Sequence, residues 1–309
     1  MAVESEVKSP GPIVSVELMG GLGNQMFQYA AGHALARRTG AALRLDLGHF
    51  AQSGKRRYLL DCFAVPAPIA REPSPTAWRS LPHWLALRAC RRLGLPTKFL
   101  HDGWTIYDQP AVHFDAVFAA LAPPVHLKGY FQSELYFHEV ADEIRDLFTV
   151  RVATSEACAM QRAAIRAADW PVSIHVRCGD YVSDPAIREV HGICDVTYYR
   201  RAIALAARLA PRPPTWFVFS DDMARARAAL AGLDNAVYVD GDAARPWEDL
   251  ALMAACRGHV IANSSFSWWG AWLDPRPDTS VIAPRQWFAP AHARTVSTAD
   301  LFCPGWITL

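Results

Sequence analysis

No stretch of eighteen or more apolar residues occurs in this chain of 309 residues, so the sequence predicts no membrane-spanning helix. The first residues lack a basic patch followed by an apolar segment, which argues against a secretory signal. A net charge of +1 gives no reason to expect nucleic acid as a partner. With 51% apolar and 20% charged residues, the composition is that of a globular protein.

Several motifs that mark common enzyme classes are also missing. The seven cysteines include no C-x-x-C pair, which favours reduced thiols in a cytoplasmic protein over disulfides or a zinc site. The eleven histidines include no H-x-x-x-H pair, and neither a G-x-x-x-x-G-K-[ST] loop nor a G-x-S-x-G elbow is present. Asp240 and Asp242 form a D-x-D that could hold a metal-bound sugar nucleotide, but Gly241 between them favours a turn.

Strands and helices alternate through the second half of the chain, which predicts a doubly wound parallel sheet in an α/β protein. The expected strands are 172–176, 216–219, 237–239, 259–262 and 281–283. A first βαβ unit is expected at 13–47, and the pattern blurs over 52–124. We predict a flexible tail at 1–12, an α/β domain at 13–150 and a second one at 151–309.

The most informative stretch is V-S-I-H-V-R-C-G-D-Y-V at 172–182, an apolar strand that ends abruptly in polar residues. Because side chains alternate along a strand, His175 and Arg177 share one face while Cys178 takes the other. An arginine fork suits two phosphate or carboxylate oxygens, so a diphosphate is the expected ligand. The alternative is structural, with Arg177 paired to Asp180 at the edge of the sheet.

Two further strands of the second half end in polar residues. These residues are Ser220, Asp221 and Asp222 after one strand, and Asn263, Ser264, Ser265 and Phe266 after the other. In a parallel sheet the three ends share one edge, so we expect a single nucleotide crevice there. The last segment begins a helix, whose free N–H groups favour a phosphate. The two aspartates would instead accept from guanine N–H groups or ribose hydroxyls. For each segment taken alone helix capping is the better explanation, and the three segments together favour a nucleotide.

The glycine-rich segment after the first strand is expected to form a loop at 19–25 and resembles a dinucleotide fingerprint in part. Gly21, Gly23 and Met26 occupy the positions of G-x-G-x-x-G, so the third glycine is missing, and Asp46 lies near the distance expected of a ribose-binding acid. This keeps open a nicotinamide-dependent oxidoreductase that uses the first βαβ unit.

Two segments of the first half offer groups suited to carbohydrate. Asn24 and Gln25 carry amides that suit sugar hydroxyls or phosphate oxygens, with a plain turn as the alternative. The segment G-Y-F-Q-S-E-L-Y-F at 129–137 combines aromatic and polar residues, which suits a cleft wall or sugar platform, or else a buried hinge. A carbohydrate-binding protein without catalytic activity would use such aromatic segments, and it is the second rival function.

Arginines interleave with tryptophans and leucines at 78–93, after Lys55, Arg56 and Arg57. This composition suits peripheral contact with the inner, anionic membrane surface. A helix packed on its own domain with its arginines in water is the more frequent arrangement.

Six segments, in order over nearly the whole chain, resemble the α-1,2-fucosyltransferases of glycosyltransferase family eleven, specifically the short bacterial members. They are G-G-L-G-N-Q-M-F-Q-Y-A-A-G (20–32), G-Y-F-Q-S-E-L-Y-F (129–137), H-V-R-C-G-D-Y-V (175–182), H-G-I-C-D-V-T-Y-Y-R-R-A-I (191–203), F-S-D-D (219–222) and A-N-S-S-F-S-W-W-G-A-W-L (262–273). The resemblance implies a GT-B fold, with two Rossmann-like domains facing a cleft. It implies that the second domain binds GDP-fucose and the first supplies the acceptor side.

The resemblance also implies inverting transfer of L-fucose from GDP-β-L-fucose to the 2-hydroxyl of a terminal galactose, without metal or cofactor. The expected acceptor is a galactose-terminated oligosaccharide or a surface-glycan precursor. Arg177 matches the family arginine associated with the diphosphate, and His175 is its neighbour in that motif. The family usually has a second arginine where this chain has Cys178, which the alternation turns away from the ligand.

These considerations give a set of candidate site residues. The catalytic candidates are Arg177, His175 and Asp180, the last as the base for the acceptor hydroxyl. Alternatives for this base are Asp46, Asp184, Glu189 and His191. The expected donor contacts are Gly21, Gly23, Asn24, Gln25, Arg177, Ser220, Asp221, Asp222, Asn263, Ser264, Ser265 and Phe266. The expected acceptor contacts are Asp46, Tyr130, Gln132 and His191, and no metal ligand is expected.

Overall fold

The computed structural model describes residues 12–53, 56–66, 68–69, 98–101, 103–178, 192, 194–294 and 296–309. These residues form two compact units, one within Met1–Leu60 and Val65–Asp146 and the other within Asp61–Ala64 and Leu147–Leu309. The tail up to residue 11 and the segment 78–93 lie outside the described residues, so the interpretations of both stay predictions. Every helix among the described residues is too short or too polar to span a membrane.

The first unit is built on one five-stranded sheet. Its strands are β1 (Ile13–Glu17), β2 (Ala42–Asp46), β3 (Lys98–His101), β4 (Trp104–Asp108) and β5 (Val125–Lys128). Its helices are α1 (Leu22–Thr39), α2 (Gly48–Ser53) and α3 (Ala141–Leu147), and shorter 3₁₀ turns occur at Leu60–Cys62, Ala116–Ala120, Glu134–Tyr136 and His138–Val140. The strand order is β2-β1-β5-β4-β3, parallel except for the antiparallel pair β3 and β4.

Helix α1 begins earlier than the glycine-rich sequence suggested. The loop was expected to run through Gln25, but Gly21 is the N-cap of α1 and its carbonyl accepts from the N–H groups of Asn24 and Gln25. The tight turn is confined to Gly20, whose φ of +78° favours glycine and where a β-carbon would lie 2.6 Å from the side chain of Asn24. Gly23, Asn24 and Gln25 are therefore helical residues.

The second unit is a six-stranded parallel sheet with helices on both faces. Its strands are β6 (Pro171–Val176), β7 (Thr215–Ser220), β8 (Ala236–Tyr238), β9 (Gly258–Val260), β10 (Ser280–Ala283) and β11 (Ile307–Thr308). Its helices are α4 (Glu156–Ala167), α5 (Val196–Leu209), α6 (Met223–Ala229), α7 (Pro246–Ala255), α8 (Ser265–Trp272) and α9 (Pro290–Ala293). The order β8-β7-β6-β9-β10-β11 is that of a doubly wound sheet, which confirms the prediction.

The two faces of this sheet bury alternate residues of the same strands. Ile174 and Val176 of β6 pack with Val218 of β7 against α5 and α6. Phe217 and Phe219 of β7 pack on the opposite face against α4 and α7. Strands buried on both sides read as continuous apolar runs, which is why they were visible in the sequence.

A buried polar network joins β6 to β9. Ser173 Oγ lies 2.8 Å from Nδ1 of His259, whose Nε2 lies 3.3 Å from Oδ2 of Asp274. Arg276 and Thr279 also donate to Asp274, at 2.6 and 2.5 Å. Burial alone would raise the pKa of Asp274, but these hydrogen bonds outweigh it and lower the pKa to about 2.

We expect Asp274→Asn to lower the free energy of unfolding by about 2 kcal/mol at neutral pH. The reason is that the pKa of Asp274 is lower in the folded protein than in the unfolded chain, where the carboxyl has its ordinary pKa. The contribution of Asp274 is fully present above pH 4 and is lost as the pH falls toward about 2. Chemical denaturation at pH 7 measures the loss, with the exposed Asp278→Asn as a control that stays within about 0.5 kcal/mol. Equal stability of the two variants would contradict a structural role for the network.

Candidate functional site

The carboxyl ends of β6, β7 and β9 lie at one edge of the second sheet. Strand β6 is paired in parallel with β7 on one side and with β9 on the other, in the registers Val176 to Ser220 and Ile174 to Val260. The strand order reverses between β6 and β9, which is where doubly wound sheets bind ligands. The predicted meeting of three polar strand ends is therefore confirmed.

Arg177, the first residue after β6, is paired with the residue that follows β7. Its Nη1 lies 2.8 Å from Oδ2 of Asp221, and the backbone N–H of Cys178 donates to Oδ1 of the same carboxylate at 2.9 Å. The side chains of Arg177 and Asp221 are 22% and 26% exposed, so a ligand can reach both. The alternative partner, Asp180, lies outside the described residues.

Cys178 lies on the other side of the sheet, where it packs against the cluster that contains Val176 and Tyr199. This confirms that the alternation turns it away from His175 and Arg177. Because its side chain points to α5, an arginine at this position would not share the face of Arg177.

His175 is buried next to Arg177, on the face that carries α8. Its ring lies 5.8 Å from that of Phe266 in the first turn of α8, and its carbonyl accepts from the hydroxyl of Tyr199 at 3.1 Å. Burial lowers the pKa of His175 to about 4, the charge of Arg177 adds to this effect, and Asp221 opposes it. His175 is thus a neutral ring at physiological pH, and its Nδ1 has no hydrogen-bond partner among the described residues.

Helix α8 starts directly at this edge. Ser264 is its N-cap and accepts from the N–H of Phe266 at 3.3 Å, and no acidic residue lies in the first turn. The remaining N–H groups of that turn and the helix dipole favour an anion. Ser265 is half-buried in the same turn.

Three predicted donor contacts use their side chains inside the protein instead. The amide of buried Asn263 donates to the carbonyls of Gly192 and Trp287. Ser220 Oγ donates to the carbonyl of Val176 at 2.7 Å and accepts from the N–H of Asp222. Asp222 caps α6 and pairs with Arg225. The cap at Asp222 is the alternative that the local sequence offered. The partners of Ser220 and Asn263 on other segments are not visible in the local sequence.

Gln25 needs the same correction in the first unit. It is fully buried, and its amide donates to the carbonyls of Gly20 and Arg57 while its oxygen accepts from the N–H of Leu59. It therefore fixes the segment at 56–59 against α1. Asp46 is also buried, and it accepts from the N–H of Gly48 at 2.8 Å at the start of α2.

Asn24 and Gln132 meet at the carboxyl edge of the first sheet. Gln132 Nε2 donates to Asn24 Oδ1 at 2.8 Å, which joins the glycine-rich segment to the aromatic segment 129–137. Phe131 is buried at a φ of +51°, a conformation that a bulky residue rarely adopts. This turn leaves Tyr130 46% exposed beside that contact.

A cavity that the sequence did not suggest lies beyond the end of β8. It has a volume of about 620 Å³ and is lined by α4, the segment 239–242 and α7. Asp242, Glu248 and Asp249 line it, and burial raises the pKa of Asp249 to about 7, with the charges of Glu248 and Asp242 adding to the shift. The D-x-D was the one available signal, and the turn follows it, with Asp242 accepting from the N–H of Ala244.

The remaining candidates Asp180, Asp184, Glu189 and His191 lie outside the described residues and stay predictions. Among the described residues, no group of three or more His, Cys, Asp or Glu side chains is arranged to hold a metal.

The doubly wound sheet with polar groups at its switch point is the arrangement of nucleotide-binding α/β proteins. The fold is similar to that of NodZ α-1,6-fucosyltransferase co-crystallised with GDP, with a TM-score of 0.51 and 17% identity, covering 85% of this chain and 93% of that one. A second structure, of fucosyltransferase NodZ from Bradyrhizobium, gives a TM-score of 0.50 and 17% identity over 85% and 92%. The likeness concerns the fold, and the predicted GT-B type of α/β fold is confirmed.

The chain belongs to glycosyl transferase family 11, whose family model matches residues 98–309. An α-1,2-colitosyltransferase of Escherichia coli is 31% identical over 89% of this chain and 92% of its own length. The O-antigen biosynthesis glycosyltransferase WbnK of Escherichia coli is 29% identical, over 94% and 99%. Galactoside α-(1,2)-fucosyltransferase 1 of Ateles belzebuth is 29% identical over 82% of this chain, which spans 63% of that protein.

The predicted family is thereby confirmed, and the protein is a glycosyltransferase. The oxidoreductase and the non-catalytic carbohydrate-binding protein are excluded as alternatives.

We expect the ring of His175 to stay neutral between about pH 8 and pH 5, because burial opposes its charged form. The unfolded chain takes up this proton near pH 6.5, so native stability falls as the pH drops from there toward about 4. Proton NMR of the ring, assigned by comparison with His175→Gln, measures the titration. A midpoint near 6.5 would contradict the buried neutral state.

Proposed function

We propose that this glycosyltransferase transfers L-fucose from GDP-β-L-fucose to the 2-hydroxyl of a terminal galactose. The observation that carries the proposal is the placement of Arg177 and the start of α8 at one edge of the doubly wound sheet, in a chain of family 11. Two fixed sources of positive charge flank the switch point, and a nucleoside diphosphate is the anion that such a site suits.

The proposed reaction is a single displacement that inverts the anomeric centre. The galactose hydroxyl attacks the fucose anomeric carbon as GDP leaves, so a β-linked donor gives an α-linked product. Negative charge grows on the diphosphate in the transition state, and donors already aimed at it stabilise that state more than the ground state. Arg177 and the N–H groups of α8 take this part, and Asp180 remains the proposed base.

We place the guanine of the donor in the cavity beyond β8. A guanine edge carries N–H donors and needs carboxylate or carbonyl acceptors, and the cavity supplies the carboxylate of Asp249. Asp221 and Asp222, the residues first expected to contact guanine, are paired with Arg177 and with α6. Val239 and Leu252 of the cavity wall belong to the same cluster as Phe219, so the cavity lies on the face of Arg177.

GDP-colitose is a second candidate donor for this chain. The support for it is the 31% identity to the α-1,2-colitosyltransferase of E. coli. Colitose is the 3-deoxy analogue of L-fucose, so both donors place the same diphosphate and the same anomeric carbon in the site. A galactosyl acceptor is supported by the name of the galactoside α-(1,2)-fucosyltransferases among the relatives.

The experiment is a transfer assay with GDP-fucose or GDP-colitose, lactose and other galactosides as acceptors, and EDTA throughout. Mass spectrometry with linkage analysis of the product decides among the outcomes. An α-1,2-linked fucoside formed in EDTA supports the proposal, and a product from GDP-colitose alone replaces fucose by colitose as the donor sugar. Absence of product with every acceptor contradicts it.

We expect Arg177→Ala to reduce kcat by about 10²- to 10³-fold, because it removes a donor aimed at the charge that develops on the leaving group. The control is Arg212→Ala, which removes the arginine of an exposed pair with Asp169, 3.7 Å apart, before the same two strands begin. Steady-state kinetics and thermal melting of both variants measure the effect. Near-normal turnover of a folded Arg177→Ala variant would show that Arg177 does not stabilise the leaving diphosphate.

GDP affinity is expected to rise with pH around 7, because ionised Asp249 can accept from two guanine N–H groups at once, whereas its protonated form replaces one acceptor by an O–H donor. The β-phosphate of GDP titrates in a similar range, so the comparison is with Asp249→Asn, which keeps the titration of the ligand but lacks the carboxyl. Isothermal titration at about pH 6 and pH 8 should show that the affinity for GDP rises more in the wild type than in Asp249→Asn, by up to about tenfold per pH unit. Equal gains would place guanine elsewhere.

A further inference from the structure

We propose that Asp221 is a positioning residue, which holds the guanidinium of Arg177 in the orientation that binds the diphosphate of the donor. This inference rests on the proposed function. It replaces the guanine contact that the sequence suggested for Asp221 with an action through Arg177.

Asp221 contacts two consecutive residues as the chain leaves β6. One carboxylate oxygen lies 2.8 Å from Nη1 of Arg177, and the other accepts from the N–H of Cys178 at 2.9 Å. The second contact restrains the carboxylate, and the first then restrains the guanidinium. An arginine has many rotamers, and bidentate binding of a diphosphate requires one of them.

The N-cap of α6 is the neighbouring residue and not Asp221. Its neighbour Asp222 is the residue that caps α6, where it accepts from the N–H of Arg225 at 3.0 Å. The hydroxyl of Ser220 donates to the carbonyl of Val176 and fixes the register that places Asp221 beside Arg177. The two adjacent aspartates therefore have separate parts.

A carboxylate beside a diphosphate repels it, so Asp221 weakens the binding of GDP while it orders Arg177. Its removal should consequently affect turnover and affinity differently. We expect Asp221→Asn to lower kcat by about 10- to 100-fold, because a guanidinium that is misplaced by about 1 Å lowers the rate by up to that factor. The Kd for GDP should stay within about threefold or become tighter, because one negative charge is gone.

The experiment compares wild type, Asp221→Asn, Arg177→Ala and the double variant in single-turnover transfer and in GDP binding. The control is Asp169→Asn, which removes the carboxylate of the exposed pair with Arg212 before the same strands begin. If Asp221 acts through Arg177, the double variant is no slower than Arg177→Ala alone. Asp221→Glu, which keeps the charge on a longer arm, should give intermediate turnover, and thermal melting confirms folding.

Binding of GDP and of inosine diphosphate separates this role from a guanine contact. Inosine lacks the exocyclic amine, so a carboxylate on guanine would prefer GDP, and Asp221→Asn would lose that preference. An unchanged preference supports the positioning role. The positioning role is overturned if Asp221→Asn loses the preference for GDP, if the effects of the two substitutions add in the double variant, or if Asp221→Asn keeps normal turnover. Each of these results leaves the proposed function intact. A wild type that neither binds GDP nor transfers sugar overturns the proposed function as well.

Discussion

The pairing of β6 with β7 is the constraint on which the donor edge depends. The hydroxyl of Ser220 donates to the carbonyl of Val176, so the last residue pair of the two strands is joined by a side chain as well as by the backbone. The next residues on each strand, Arg177 and Asp221, are then opposite each other and form an ion pair. A shift of one residue in either strand would turn the side chain of that strand to the opposite face and break the ion pair.

The same sheet explains why the site is well defined on one face only. Alternation sends His175 and Arg177 toward α8 and sends Cys178 toward α5. Neutral His175 fills the space between Arg177 and Phe266 without adding charge, because burial keeps it unprotonated. The positive charge at this edge is therefore concentrated in Arg177 and in the start of α8, which lie on the two sides of the switch point.

Much of the second unit was predictable because strands β6 and β7 are buried on both faces and helices α4 and α5 are amphipathic. Strands β3, β4 and β5 escaped prediction, since they lie in or just after a stretch rich in proline and aromatic residues. The two-residue β11 was too short to leave a pattern. The start of α1 was misplaced because its first turns are almost entirely buried and include Gly23 and Gln25, which resemble a loop.

The candidate site was also predictable only in those features that depend on local sequence. Alternation along one strand placed Arg177, His175 and Cys178, because that rule needs only local sequence. The partners of Gln25 and Asn263 lie 32 and 71 residues away in the chain, so no local pattern could show that their amides are already used. Polar residues at strand ends therefore identify an edge reliably, but the allocation of each side chain to ligand or to protein is decided by tertiary contacts.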